Sequence, residues 1–98
     1  MGNSKKYEVL VRGDNFLFNV EGANQRLGFY TTRFVEAENE EQAEEKVIAL
    51  LRDDPTLRRG VLNEQSDSPL MFAEEIVELK SFDGFNVPGG GFTFYPIK

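Results

Sequence analysis

Carboxylates and arginines are the side chains of this sequence best suited to catalysis or ligand binding, because the sequence contains neither histidine nor cysteine. Without cysteine there is no thiol nucleophile and no disulfide framework. Without either residue, the common zinc sites and the Ser-His-Asp and Cys-His groupings are excluded. Catalysis would need two carboxylates at the right separation, and nothing in the sequence indicates which two would meet. We therefore expect no catalytic residues, no metal site and no cofactor.

The acidic residues are concentrated in one stretch of the chain. Between Glu36 and Asp54 there are eight acids and two bases, which account for the whole formal net charge of −6. A chain with this charge and no basic stripe repels phosphate backbones, so we expect no nucleic-acid binding. A basic protein partner would be attracted, although a solvated helix face is the simpler alternative. The candidate interaction surface consists of Glu40, Glu41, Glu44, Glu45 and Ile48.

Arg33 is a candidate of a different kind, because it follows two threonines inside an aromatic-rich run. A guanidinium binds carboxylates and phosphates through paired hydrogen bonds, so Arg33 is the candidate anchor for a small ligand. The alternative is a cross-strand ion pair with a glutamate of the neighbouring strand. The three glycines at 89–91 are not followed by Lys-Ser or Lys-Thr, so they do not form a phosphate-binding loop.

A helix over about 40–53 is predicted to position the acidic residues. Asn39 is a good N-cap, and Gln42 three residues later can complete a capping box. Pro55 disfavours helical geometry at the residue before it, which ends the helix. The apolar stripe of this helix consists of Ala43, Val47, Leu50 and Leu51.

Alternating apolar residues before the helix predict three strands. Residues 7–12 and 16–20 alternate, and the Gly-Asp-Asn sequence at 13–15 has strong turn chemistry. We interpret these two runs as a hairpin. A polar loop is expected over 21–28, followed by a strand over about 29–37. On that strand Arg33 shares one face with Phe29, Thr31 and Val35.

The segments after the helix are less clear. Residues 72–82 fit either a helix or a strand, and their position after a strand–helix unit favours a strand. Residues 92–95 predict a short edge strand, because a proline follows. Since one helix covers one face of a sheet, the loops 56–71 and 83–91, or a second copy of the chain, would cover the other. We expect an apolar patch on the helix-free face that forms a homodimer contact or a binding surface.

These elements together predict a single α+β domain over residues 1–98. Its sheet would be mostly antiparallel, with four or five strands and one principal helix packed on one face. The passage from Phe34 to Ala43 resembles the strand–helix crossover of ferredoxin-like domains, which implies a ferredoxin-like fold as one option. The whole chain resembles small uncharacterised bacterial α+β proteins that carry no assigned activity, and this resemblance implies no functional residue.

The favoured interpretation is a non-enzymatic protein-interaction module that binds a basic protein or a second copy of itself. An inhibitor or immunity-type protein that neutralises a basic enzyme is one specific form. The alternative is a small-ligand sensor with a pocket between sheet and loops, and a carboxylate-based enzyme is least favoured. The longest apolar run, Val47–Leu51, cannot span a bilayer, and the N-terminus has no apolar signal core. We therefore expect a cytoplasmic protein with no membrane partner.

Overall fold

An antiparallel sheet of four strands forms the framework of the protein in the computed structural model, which describes residues 4–97. Its order is β3-β1-β2-β4, with each neighbouring pair antiparallel. The α+β class and the principal helix on one face are confirmed. In chain order the elements are β1 (Lys5–Val20), β2 (Ala23–Ala37), α1 (Glu40–Arg52), α2 (Pro55–Gly60), β3 (Leu70–Leu79) and β4 (Thr93–Pro96).

The ferredoxin-like option is not confirmed. That arrangement runs β-α-β-β-α-β, whereas here both helices lie between β2 and β3. The consecutive strands β1 and β2 pair with each other and form the central hairpin. Strands β3 and β4 pair with its two outer edges. The ambiguous segment 72–82 is strand as far as Leu79, and the short final strand lies at an edge as predicted. Within residues 4–97, no helix is long and apolar enough to cross a membrane.

The predicted turn at 13–15 is wrong, because β1 continues through it. Two residues, Asp14 and Asn15, stand where β2 has only one, and the pairing passes from Gly13 with Phe29 to Phe16 with Leu27. This is a β-bulge, and Asn15 has a φ of 61°, which asparagine tolerates better than most residues. The chain reverses instead at residues 21–22, so the predicted loop over 21–28 is mostly strand.

The bulge keeps the apolar side chains of β1 on one face of the sheet. Tyr7 and Val11 before it have odd numbers, and Phe16 and Phe18 after it have even numbers, yet all four are buried in the same core. Without the extra residue, the two-residue period of the strand would turn the second set to the opposite face. The core consists of Tyr7, Val9, Val11, Phe16, Phe18, Phe29, Ala37, Ala43, Val47, Leu51 and Leu57.

Helix α1 begins at the predicted cap and packs on this core. The Asn39 side chain accepts a hydrogen bond from the Gln42 backbone N–H at 2.8 Å. The Gln42 side chain accepts from the Glu38 N–H at 2.8 Å, one residue earlier than a capping box requires. Of the predicted stripe, Ala43, Val47 and Leu51 are fully buried, while Leu50 is partly exposed.

The opposite face of the sheet, here called the open face, is only partly covered. The connection 80–92 crosses one end of it, where the ring of Phe34 lies 4.9 Å from that of Phe85. The segment 56–71 packs on the helix side instead, since Leu57 belongs to the core. Phe72 and Val77 of β3 stay 40% and 41% exposed on the open face. Two exposed apolar side chains thus lie on the open face with Glu75 between them, and an apolar patch that forms a homodimer contact or a binding surface remains a prediction.

We expect Gly13→Ala to destabilise the protein by about 1–3 kcal/mol, the usual cost of overpacking a core. A Cβ at this position would lie 2.2 Å from Cε2 of Phe29, which is completely buried and has no room to retreat. The free energy of unfolding in urea measures the effect. Gly90→Ala is the matched control, because a Cβ there would meet nothing within 4 Å. Equal losses in both variants would contradict the close packing at the bulge.

Candidate functional site

A groove of about 520 Å³ lies on the open face, between the central strands and the chain segment that leads into β4. Leu10 and Thr32 face each other across β1 and β2, while Tyr30 and Thr93 form the pair next to them on β2 and β4. This volume is within the range of small-molecule sites. The lining residues are Leu10, Tyr30, Thr31, Thr32, Gly90, Gly91, Phe92 and Thr93.

Arg12 lies beside the groove, opposite Tyr30 in the β1–β2 pairing. One terminal nitrogen of its guanidinium is 3.8 Å from the carboxylate of Glu74, a distance too long for a hydrogen bond. The hydroxyl of Tyr95 raises the pKa of Arg12 above its ordinary value, with smaller contributions from Tyr30 and Glu74. Arg12 is therefore a permanent positive charge next to Tyr30, although it does not itself line the groove.

Two buried polar atoms beside the groove have no hydrogen-bond partner among the described residues. They are Nε of Arg12 and the hydroxyl oxygen of Tyr95. The Tyr95 ring covers Gly28, where a Cβ would lie 2.4 Å from its Cζ, and its centre is 5.7 Å from that of Tyr30. Buried polar atoms are nearly always paired. The two side chains interact with each other, since the Tyr95 hydroxyl raises the pKa of Arg12, so this corner pairs its own polar groups at a geometry short of a regular hydrogen bond.

Arg33, the predicted ligand anchor, lies on the other side of β2 from these residues. Its side chain is 2% exposed, and its Nη2 is 3.6 Å from the Asp54 carboxylate. Its Nη1 donates to the Thr31 hydroxyl and to the Gly91 carbonyl, the latter at 3.3 Å. The guanidinium also lies 5.2 Å from the centre of the Phe92 ring. Burial lowers the pKa of Arg33, and Asp54 partly opposes that effect.

The contacts of Arg33 correct the predicted ion pair, because its acidic partner is Asp54 of the α1–α2 connection and not a glutamate of a neighbouring strand. The enclosed guanidinium has no open side toward the groove. Its role as a ligand anchor stays a prediction, and it would require the surrounding elements to separate. In this structure Arg33 instead fixes Gly91, which forms part of the groove wall.

The acidic residues of α1 lie next to the edge strand β3. Glu40, Glu41 and Glu45 are exposed, as predicted for a surface helix. Glu44 is half-buried, and its carboxylate accepts a hydrogen bond from the Ala73 N–H at 2.7 Å. Ile48 is also half-buried, and it packs against the core and lines an apolar groove with Phe16, Leu57 and Met71.

Strand β3 adds three exposed acids to those of the helix. Glu75 is opposite Leu10 and Glu78 is opposite Tyr7, so the two carboxylates lie on different faces of the edge strand. We define the acidic surface as Glu40, Glu41 and Glu45 of α1 with Glu74, Glu75 and Glu78 of β3. Within residues 4–97, Glu74 is its only member that takes part in an ion pair.

A polar cluster at the bulge connects the long hairpin to the segment before β3. Arg26 Nη1 donates to the side chains of Asn15 at 2.6 Å and Asp67 at 2.7 Å. The Asn63 amide donates to the backbone carbonyls of Asn15 and Asp67, each at 2.9 Å. Hydrogen bonds from Asn15 and then Arg26 lower the pKa of Asp67 below its ordinary value.

The sequence did not reveal Arg12, Tyr95 or the acids of β3 as site residues. Arg12 interrupts an apolar alternation, which marks it as facing away from the core, but only the strand register shows that Tyr30 and Tyr95 are its neighbours. In the described part of the chain, no group of three or more acidic residues is arranged to hold a metal ion.

The chain matches no family model, no curated protein and no solved structure. The assignment of a site therefore depends on the geometry and charge of the chain itself. Two features remain as candidates: the acidic surface on α1 and β3, and the open-face groove.

We expect Asp67→Asn to be less stable than the original chain at neutral pH, with the difference disappearing in acid. The folded pKa of Asp67 is lowered below the value of about 3.9 typical of unfolded chains. Its contribution is therefore complete above that value and is lost as the pH falls through the folded pKa. Unfolding in urea across this pH range measures the difference.

The control for this experiment is Asp83→Asn, which removes an exposed carboxylate outside the cluster. It should change stability little at any pH. If the deficit of the Asp67→Asn variant persisted unchanged below pH 2, or if the control reproduced it, the cluster would not be the source of the effect.

Proposed function

We propose that the protein is a non-enzymatic interaction module that binds a basic protein along the acidic surface. The observation that carries this proposal is the hydrogen bond from the Ala73 N–H to the Glu44 carboxylate, 2.7 Å long. It holds α1 against the edge strand β3, so that Glu78, on the helix side of the sheet, lies on the same side as the exposed acids of α1, while Glu75 of the same strand points to the open face. Because the Glu44 carboxylate is used for this contact, it is unavailable to a partner. The exposed acids around it remain available.

The charges of the acidic surface are poorly compensated by the chain itself. Three ion pairs occur within residues 4–97, and only the one between Arg12 and Glu74 involves the acidic surface, at 3.8 Å. The nearby Lys46 donates to the backbone carbonyl of Glu36 at 2.9 Å and forms no ion pair with any residue that the structure describes. Lysines and arginines of a partner would supply the missing counter-charge and would accelerate association.

The position of β3 at the edge of the sheet supports the same interaction. An edge strand presents backbone groups that a second strand can use, here apart from the Ala73 N–H that donates to Glu44, and Leu70 and Phe72 add exposed apolar surface beside them. Pairing of two copies of β3 would bring like charges together, since the strand carries three acids and no base. The edge therefore favours a basic partner over a second copy, and a homodimer would have to meet through the open face.

One specific form of the proposal is an inhibitor or immunity-type protein that covers a basic enzyme. The same acidic surface would then compete with an anionic substrate for the positively charged site of that enzyme. Attraction between such surfaces weakens as salt rises, because mobile ions screen exposed charges over about 8–10 Å at physiological ionic strength.

The test compares the original chain with Glu41→Gln/Glu45→Gln/Glu78→Gln, immobilised for capture from a lysate of the source cells. The expected result is a basic protein retained by the original chain, released by high salt and bound about tenfold more weakly by the triple variant, as expected for the loss of three exposed charges. Affinity is then measured with that protein in purified form at several NaCl concentrations.

The matched control is Glu21→Gln/Glu64→Gln/Asp83→Asn, which changes the net charge equally at exposed positions outside the acidic surface. It should bind as the original chain does. Retention of the same proteins by all three chains, or of none by any of them, would contradict the proposal. Urea unfolding of each variant first establishes that it is folded.

A further inference from the structure

A second groove lies on the helix side of the sheet, between the two helices and the first residues of β3. Its volume is about 320 Å³, at the lower end of the range of small-molecule sites. Some of its residues belong to the core, whereas Ile48, Val61 and Met71 are only half-buried beside it. We call it the helix-side groove, and it is lined by Arg52 and six apolar residues, Phe16, Ile48, Leu57, Val61, Pro69 and Met71.

Hydrogen bonds hold the elements on both sides of the helix-side groove. On one side the Leu62 N–H donates to the Leu17 carbonyl, and the Leu17 N–H donates to the Asn63 side chain, each at 2.8 Å. These bonds fix the segment after α2 alongside β1. On the other side the Glu44 carboxylate accepts from the Ala73 N–H at 2.7 Å, which holds α1 next to β3. The groove is therefore formed before a ligand binds, and this reduces the ordering cost of binding.

Arg52 is the single charged residue of this lining, and no acid within residues 4–97 forms an ion pair with it. The acids near it in sequence are placed elsewhere: Asp53 lines a different cleft, and Asp54 lies near Arg33. Glu44 is on the same face of α1, but it is two turns earlier, about 12 Å along the helix axis, and already bonded to β3. The exposed guanidinium of Arg52 is thus available to an anionic group at the rim of the groove.

We infer that the helix-side groove binds a medium-chain aliphatic carboxylate, with its chain against the apolar lining and its carboxylate at Arg52. The aliphatic body follows from the lining, in which Phe16 is the only aromatic residue and Met71 can adapt to a flexible chain. The small volume limits the length of that chain. The carboxylate follows from the guanidinium, whose planar donor edge pairs with two oxygens at once. The same charge repels lysines and arginines, so this groove does not suit the basic partner of the acidic surface.

The experiment titrates the ¹³C-methyl-labelled protein with octanoate, with its neutral analogue octanamide and with the shorter butanoate. Octanoate should produce saturable shifts of the methyl signals of Ile48, Val61 and Met71. Butanoate should bind at least about tenfold more weakly because it buries fewer methylene groups, and octanamide at least about tenfold more weakly because it lacks the charge. This comparison requires no variant. Equal affinity of octanoate and either control, or shifts without saturation, would overturn the inference.

A pair of variants then assigns the anchor. Arg52→Gln should weaken octanoate binding about tenfold and change octanamide binding little, a difference that damage to the fold would not produce. Lys80→Gln, which removes the same charge from an exposed position just after β3, should bind octanoate as the original chain does. Equal weakening of both ligands by Arg52→Gln, or equal weakening of octanoate in both variants, would overturn the assignment to Arg52.

The other occupant that the test distinguishes is a protein partner. If octanoate left the three methyl signals unchanged while the captured basic protein shifted them, the groove would belong to the protein interface and the inference would be overturned. Because Arg52 is not part of the acidic surface, failure of octanoate to bind leaves the proposed protein interaction standing. Failure to capture a basic protein likewise leaves the inference about the helix-side groove standing.

Discussion

Arg33 places a charged guanidinium inside the layer between the sheet and the helices, and three parts of the chain are arranged around it. Desolvating such a group costs several kcal/mol unless its donors are used. Here Thr31 of β2, Asp54 between the helices, and Gly91 and Phe92 before β4 satisfy or cover it. Because the cost is recovered only with all partners in place, this contact fixes the end of α1 and the wall of the open-face groove together.

Features that are set by residues close in the sequence were predicted correctly. Features that are set by partners far along the chain were not. The cap at Asn39, the buried stripe and the end of α1 before Pro55 are set within one or two helical turns. The bulge at Asn15 was mistaken for a turn, because a positive φ serves both purposes. The face of β2 that carries Arg33 was predicted correctly, but its partner Asp54 is twenty-one positions away and no local pattern indicates it.

The same distinction applies to the two candidate sites. The acids of α1 are evident in the sequence, whereas their neighbours on β3 become visible only through the contact of Glu44 with Ala73. Arg12 and Tyr95 come from opposite ends of the chain, and the order β3-β1-β2-β4 brings them onto one face. The net negative charge of the chain is thus concentrated in and around α1, whereas the groove on the open face is lined by uncharged residues.

Amide hydrogen exchange in Arg33→Lys tests the central role of this residue most directly. Lysine keeps the charge, but its single nitrogen cannot take the place of both Nη1, which donates to Thr31 and Gly91, and Nη2, which lies near Asp54. The account predicts faster exchange for amides of residues 91–96 and 54–60 than in the original chain, with the middle of α1 changed much less. Unchanged protection in both segments, or an equal loss throughout the molecule, would contradict the claim that Arg33 holds these particular elements in place.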